Sequence, residues 1–165
     1  MQTILAPGHE EFMAEPLSAG QTDEYLRLRA FVEVVCQRVL SASFPRDIHP
    51  IVVLDRLHAG CPSEALRGAR EAAYDLVEAT MHMPPAELAT LEASLAEAGA
   101  PSLQAMRDKT MAEIHAILSR GEILCDDEWR LLATATADMT DRDLPNELRQ
   151  RADDLLARYE SSRGA

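Results

Sequence analysis

Four side chains in one stretch of the sequence have the types and the spacing to bind a divalent metal ion. Glu71, Asp75, Glu78 and His82 fall within about 60° of one another on an α-helix with 3.6 residues per turn. We call these four residues the acidic line. Carboxylate oxygens are common ligands of Mg²⁺ and Mn²⁺, so the acidic line is compatible with the metal site of a metal-dependent hydrolase. The same line lies opposite the apolar stripe that begins at Leu66, where acidic side chains usually face solvent. A solvated helix face is therefore the favoured interpretation.

Asp55 and His58 stand three positions apart, which is the spacing of the carboxylate–histidine pairs in di-iron helical bundles. Such a centre needs a second pair and two further carboxylates. The sequence contains no Glu-x-x-His segment, and His9, His49 and His115 do not complete a ligand set. We therefore expect a structural or surface role for this pair, and no cofactor.

The segment 53–73 resembles a helix-turn-helix motif with Gly60 at its turn. In such a motif Arg67 and Arg70 would contact DNA phosphates. Arg56 stands where the motif usually requires a small side chain, and nearby glutamates offset the two arginines. A DNA-binding regulator is therefore an alternative that rests on the motif alone.

The sequence gives little support to nucleophilic catalysis. It has no Gly-x-Ser-x-Gly segment, no glycine-rich phosphate loop and no cysteine with a histidine at a recognisable spacing. Cys36, Cys61 and Cys125 are odd in number and form no Cys-x-x-Cys pair. This pattern predicts three free thiols in a reducing, cytoplasmic compartment. We expect a protein without enzymatic activity.

The charge balance is strongly acidic. The chain of 165 residues carries 16 basic and 28 acidic side chains, a formal net charge of −12, and an acidic excess is present in each of the windows 1–60, 61–120 and 121–165. Nucleic acids and anionic membranes attract clustered Lys and Arg, so binding to either is disfavoured. Lys109 is the only lysine, and this bias toward arginine predicts a bacterial source.

Helical periodicity begins near residue 21 and continues toward the end of the chain. It predicts an all-α fold, a bundle or array of about six to seven helices with short loops. Residues 1–20 are expected to form an irregular N-terminal arm and residues 21–165 a single helical domain. The sequence does not decide whether these helices form one bundle or two packed subdomains. The helices, with their caps, are expected at 23–43, 47–60, 63–81, 84–98, 102–120, 126–139 and 143–159.

Capping residues predict where these helices begin and end. The side-chain oxygens of Ser and Asp accept hydrogen bonds from backbone N–H groups of the first turn, which have no partner within the helix. Glycine readily adopts the left-handed conformation that ends many helices. The expected N-caps are Asp47, Ser63, Ser102, Asp126 and Asp143, and the expected terminating glycines are Gly60, Gly99 and Gly121.

The first predicted helix has an unusually wide apolar face. A heptad seam runs from Tyr25 to Ala42, and Cys36 and Leu40 help widen it to about half of the circumference. A face this wide is typical of a central helix or of one shared with a second subunit. The side chains expected at the subunit interface are Leu28, Phe31, Val32, Val35 and Val39.

Together these patterns favour a non-enzymatic protein–protein interaction or regulatory module, of the adaptor, chaperone, inhibitor or immunity type. We expect it to self-associate as a homodimer and to bind another protein, without a membrane span and without a cofactor. The alternatives are a helix-turn-helix regulator and a metal-dependent hydrolase.

Overall fold

The computed structural model describes residues 16–41, 43–138 and 144–163. These residues form seven α-helices and one short 3₁₀ helix, with no strand among them, so the predicted all-α fold class is confirmed. None of the described helices combines the length and the apolar character needed to cross a membrane. The helices are α1 (Ala19–Val39), α2 (Pro50–Gly60), α3 (Pro62–Ala79), α4 (Pro85–Glu97), α5 (Leu103–Arg120), α6 (Asp126–Asp138) and α7 (Asn146–Arg163), with the 3₁₀ helix at Arg46–Ile48.

The chain divides into two compact units, Met1–Met106 and Arg107–Ala165. We call them unit 1 and unit 2. Each has its own hydrophobic core, and α5 contributes its first residues to one core and its later residues to the other. That residues 21–165 behave as a single domain stays a prediction.

The core of unit 1 is built around α1, which packs against α2, α3 and α4. Three alanines of α3 are completely buried, and such small side chains let neighbouring helices lie close together. Dense packing of this kind provides most of the stability of a helical unit. The buried side chains of this core are Tyr25, Leu28, Phe31, Val32, Val35, Cys36, Leu54, Ala65, Leu66, Ala69, Ala73, Leu76, Leu91, Leu95, Leu103 and Met106.

The core of unit 2 is formed by α5, α6 and α7. Trp129, the only tryptophan of the chain, packs against its edge and donates a hydrogen bond from Nε1 to Glu160 at 3.1 Å. The buried side chains are Ile114, Ile117, Leu118, Ile123, Leu132, Ala135, Leu144, Ala152 and Leu155.

Three of the predicted helix boundaries are confirmed. Gly99 has a φ of +66° after α4, and the N–H of Ala100 bonds to the carbonyl of Leu95, as in a Schellman motif. Gly121 has a φ of +76° directly after α5. Ser102 caps α5, because its hydroxyl accepts a hydrogen bond from the N–H of Ala105.

Two N-cap predictions near the start of the chain are wrong. The ring of His49, rather than Asp47, caps α2, since its Nδ1 accepts from the N–H of Ile51. Asp47 lies in the 3₁₀ helix instead. Cys61 rather than Ser63 precedes α3, because Pro62 is favourable in the first turn, where N–H groups lack partners.

Other boundaries differ by a few residues. Gly60 stays inside the last turn of α2 without a positive φ. Asp126 is the first residue of α6, and its carboxylate contacts α7 rather than capping. The predicted positions of Ala42, Met139 and Asp143, and most of the predicted N-terminal arm, lie outside the described residues.

Candidate functional site

The expected interface residues of α1 lie inside unit 1. Leu28 and Phe31 are buried in the core, together with Val32 and Val35, while Val39 is half-buried against it. Packing by the neighbouring helices of the same chain therefore accounts for the apolar face of α1. That these side chains form a homodimer interface stays a prediction, and their burial within unit 1 does not support it.

The line of possible metal ligands is exposed along its whole length. Glu71, Asp75 and Glu78 project from the solvent side of α3, and His82 follows the helix end. Among the described residues, no group of three or more His, Cys, Asp or Glu is placed to hold a metal ion. The geometry gives the metal-dependent hydrolase no support.

The two arginines of the possible DNA-binding motif face glutamates. Arg67 pairs with Glu64 on its own helix, and Arg70 pairs with Glu24 of α1 through two hydrogen bonds of 2.6 and 3.1 Å. A single residue, Cys61, connects α2 and α3, whereas a helix-turn-helix motif has a turn of three to four residues. Neither observation favours contact with DNA.

An ionic cluster joins α1 to α2 at the positions where the sequence suggested an iron ligand pair. The guanidinium of Arg29 binds both oxygens of Asp55, at 2.6 and 2.9 Å, and also Glu33 at 3.1 Å. This two-pronged arrangement is the strongest common geometry for an arginine–carboxylate pair. Asp55 is therefore occupied by a cation of its own chain.

His58 completes this cluster by stacking on Tyr25. The two rings lie 4.4 Å apart and nearly parallel, and the Tyr25 hydroxyl donates to the carbonyl of Leu54 at 3.3 Å. The Nδ1 atom of His58 is buried and has no hydrogen-bond partner. The His58 ring thus packs between α1 and α2. A structural role of this kind is one of the two roles expected for it.

The electrostatics of the cluster follow from burial and from the Arg29–Asp55 contact. The hydrogen bond from Arg29 lowers the pKa of the Asp55 carboxyl, and the same hydrogen bond raises the pKa of Arg29. Burial, and after it the charge of Asp55, raises the pKa of the Tyr25 hydroxyl. Burial raises the pKa of the Cys36 thiol to about 11, so this thiol is a packing group and not a nucleophile.

Replacing Asp55 by asparagine tests this cluster. Because both partners are partly exposed, we expect a loss of about 1 kcal/mol or less in the free energy of unfolding at neutral pH. The folded-state pKa of Asp55 is lowered, so its contribution is present above 3.8 and is lost as the pH falls below that value. Urea unfolding at several pH values should show the two proteins converging in acid. Asp47→Asn, an exposed carboxylate change, should have no such pH-dependent effect.

A second group of polar side chains in unit 1 consists of acidic residues on α3 and α4. Between Arg70 and Arg107 the sequence has six carboxylates and no lysine or arginine. We call the exposed members of this group the acidic α3–α4 surface. They are Glu71, Asp75, Glu78, Glu87 and Glu97.

Most of these carboxylates form no ion pair with the part of the chain that the structure describes. For Asp75, Glu78 and Glu87 the structure records no ion pair with any described residue. By contrast, the carboxylates earlier in unit 1 include several that pair with arginine, such as Asp55 and Glu64. Among the described residues of unit 1, the second half of α3 and α4 therefore carry at least three carboxylates without an ion pair.

Sequence reasoning missed this surface because the charge was averaged over long windows. The window 61–120 includes Arg67 and Arg70 at one end and Arg107, Lys109 and Arg120 at the other. These five cations hide the stretch between them, which has none. A count between successive basic residues would have found it.

A groove of about 440 Å³ has one member of this acidic group, Glu87, in its lining. It lies between the last turns of α1 and the first turns of α4, within unit 1. Its apolar part comes from Met83 and Ala86, and its charged groups are Arg38 and Glu87. The remaining lining residues are Gln37 and Thr90.

Unit 2 has a smaller polar cluster at the start of α6. The Tyr159 hydroxyl donates to Asp126 at 2.8 Å, and Arg163 binds the same carboxylate oxygen at 2.6 Å. The guanidinium of Arg163 also lies 5.8 Å from the centre of the Tyr159 ring. These contacts join α6 to α7.

The acidic α3–α4 surface and its groove are therefore the part of the described chain best suited to bind another molecule. In comparisons with known proteins, no family model, no curated protein and no solved structure matches this chain.

Proposed function

We propose that this protein is a non-enzymatic protein–protein interaction module that binds a basic partner protein through its acidic α3–α4 surface. The observation that carries the proposal is the stretch of six carboxylates without a lysine or arginine between Arg70 and Arg107. Complementary charge speeds the association of proteins and selects among partners.

The uncompensated carboxylates support this role better than a structural one. Asp75, Glu78 and Glu87 have no ion-pair partner among the described residues, and Asp75 and Glu78 are like charges three positions apart on one helix. Like charges that are gathered on one surface lower stability slightly. A cationic partner would relieve that repulsion and gain its own ion pairs.

The two alternative functions fit the described geometry less well. A metal-dependent hydrolase needs converging ligands, and the line of Glu71, Asp75, Glu78 and His82 is exposed. A DNA-binding regulator needs a basic face, and Arg67 and Arg70 are paired with glutamates. Both would therefore need a rearrangement that an interaction module does not need.

Binding of charged peptides tests the proposal. In fluorescence anisotropy at near-physiological ionic strength of about 0.15 M, we expect an arginine-rich peptide to bind and an acidic peptide of the same length not to bind. The affinity should fall as salt is added, because ion pairs between exposed groups are screened. Failure of the basic peptide to bind, or equal binding of both peptides, would overturn the proposal.

Self-association as a homodimer is a separate part of the proposal. With the apolar face of α1 buried in the core, its support comes from three exposed apolar side chains of unit 1, Leu26, Ile48 and Met81. Light scattering coupled to size exclusion at several protein concentrations distinguishes the outcomes. A mass of two chains supports a homodimer, and a mass of one chain at every concentration removes it.

A further inference from the structure

We infer that the groove between α1 and α4 is the contact surface of a symmetric homodimer, in which Arg38 of one copy pairs with Glu87 of the other. The inference rests on the self-association part of the proposed function, and it adds the place and the symmetry of the interface. It follows from the two opposite charges of the groove, which lie on different helices and form no ion pair with each other.

The composition of the groove matches a second copy of the same groove. One guanidinium, from Arg38, and one carboxylate, from Glu87, are its only charged lining groups, and the other four lining side chains are uncharged. A strongly basic or strongly acidic partner would place a like charge opposite one of the two. A second copy offers one charge of each sign, so its charges complement both.

The two charges lie at the ends of their helices and are open to a second molecule. Arg38 is in the last turn of α1 and Glu87 is in the first turn of α4, where the helix dipoles favour a cation and an anion respectively. Both side chains are exposed. Neither forms an ion pair or a side-chain hydrogen bond with any residue that the structure describes.

Two-fold symmetry brings the opposite charges together. In an isologous interface every contact occurs twice, because a residue i that meets a residue j is matched by a j that meets an i. When the two-fold axis runs along the groove, the α1 side of each copy faces the α4 side of the other. Arg38 then meets Glu87 at two places, and Met83 and Ala86 of the same lining supply the apolar contact.

A contact of this size and polarity gives a weak dimer. Obligate dimers bury a larger and more apolar surface than six lining residues of which two are apolar. We therefore expect a dimer that dissociates on dilution. It should also dissociate as salt is added, because salt screens ion pairs between exposed groups.

Charge reversal at the two positions tests the inference. Arg38→Glu and Glu87→Arg, each alone, place like charges opposite each other at both contacts, so each should raise the dimer dissociation constant at least about tenfold. An equimolar mixture of the two variants restores both pairs, because one chain supplies two carboxylates and the other two guanidiniums. Light scattering coupled to size exclusion should show the mass of two chains for the mixture, at a concentration at which either variant alone shows the mass of one.

Matched controls exclude an effect of net charge. Arg158→Glu and Asp153→Arg make the same changes of charge on exposed side chains of α7. Each of these variants alone should keep the dissociation constant of the wild type, and mixing them should not change it. Circular dichroism of every variant confirms that the helices are retained.

The outcomes separate this inference from the proposed function. If the mixture of Arg38→Glu and Glu87→Arg stays monomeric while the wild type forms a dimer, the groove is not the interface, although self-association stands. A wild type with the mass of one chain at every concentration removes self-association, and this inference with it. Binding of the arginine-rich peptide is decided by neither result, so the two parts of the proposed function fail separately.

Discussion

Replacing Phe31 by alanine should lower the free energy of unfolding by about 3–5 kcal/mol. The ring is completely buried in the core of unit 1, so its removal loses apolar burial and leaves a cavity that the neighbouring helices fill only in part. Urea unfolding followed by far-ultraviolet circular dichroism measures the loss.

The control lies on the same helix. Leu26 is 56% exposed on α1, and Leu26→Ala should change stability by about 0.5 kcal/mol or less. Equal effects at the two positions would mean that Phe31 is not the core residue described here. In that case the expectation of an α1 interface between subunits would regain support.

Leu132→Ala should lower stability by about 2–5 kcal/mol, and its effect should be visible in the fluorescence of Trp129. Leu132 is completely buried in the core of unit 2, and Trp129 packs against that core from the same helix. Since Trp129 is the only tryptophan of the chain, its emission reports on unit 2.

The matched control for unit 2 is Leu124→Ala. Leu124 is 61% exposed, so this change should leave the unfolding midpoint nearly unaltered. A Leu132→Ala protein with the midpoint of the wild type would contradict the core assigned to unit 2.

The helical class and most core positions could be predicted from the sequence, because amphipathic periodicity reports directly which face of a helix avoids water. On α3, for example, the inward positions from Leu66 to Thr80 are all buried as expected. Periodicity cannot show whether helices of the same chain or a second subunit cover an apolar face. The sequence for this reason left open whether α1 is a central helix or is shared with a second subunit, and in the structure α2, α3 and α4 of the same chain pack against it.

Helix ends were harder to predict where two local signals compete. The pair Ser18 and Gln21 forms a capping box that starts α1 at Ala19, about four residues before the expected start. At α2, His49 is the N-cap instead of the expected Asp47. Pro50 is favoured in the first turn of a helix, and α2 begins at this residue.

The polar clusters were beyond sequence reasoning, because they depend on tertiary packing. Arg29 and Asp55 are 26 positions apart, and no local pattern connects them. The spacing of Asp55 and His58 suggested metal ligands, but packing against α1 gives Asp55 an arginine and His58 a tyrosine ring. By contrast, the acidic α3–α4 surface was readable in the sequence once charges are counted between neighbouring basic residues.

The most direct test of the proposed interaction surface is a comparison of two triple variants with the wild type. The test variant combines Asp75→Asn, Glu78→Gln and Glu87→Gln, and its control combines Glu147→Gln, Asp153→Asn and Asp154→Asn on α7, so both lose three exposed negative charges. We predict that the test variant binds the arginine-rich peptide at least about tenfold more weakly than the wild type, while the control keeps most of the affinity. Equal losses in the two variants would show that net charge alone attracts the peptide, and would contradict an interaction surface on α3 and α4.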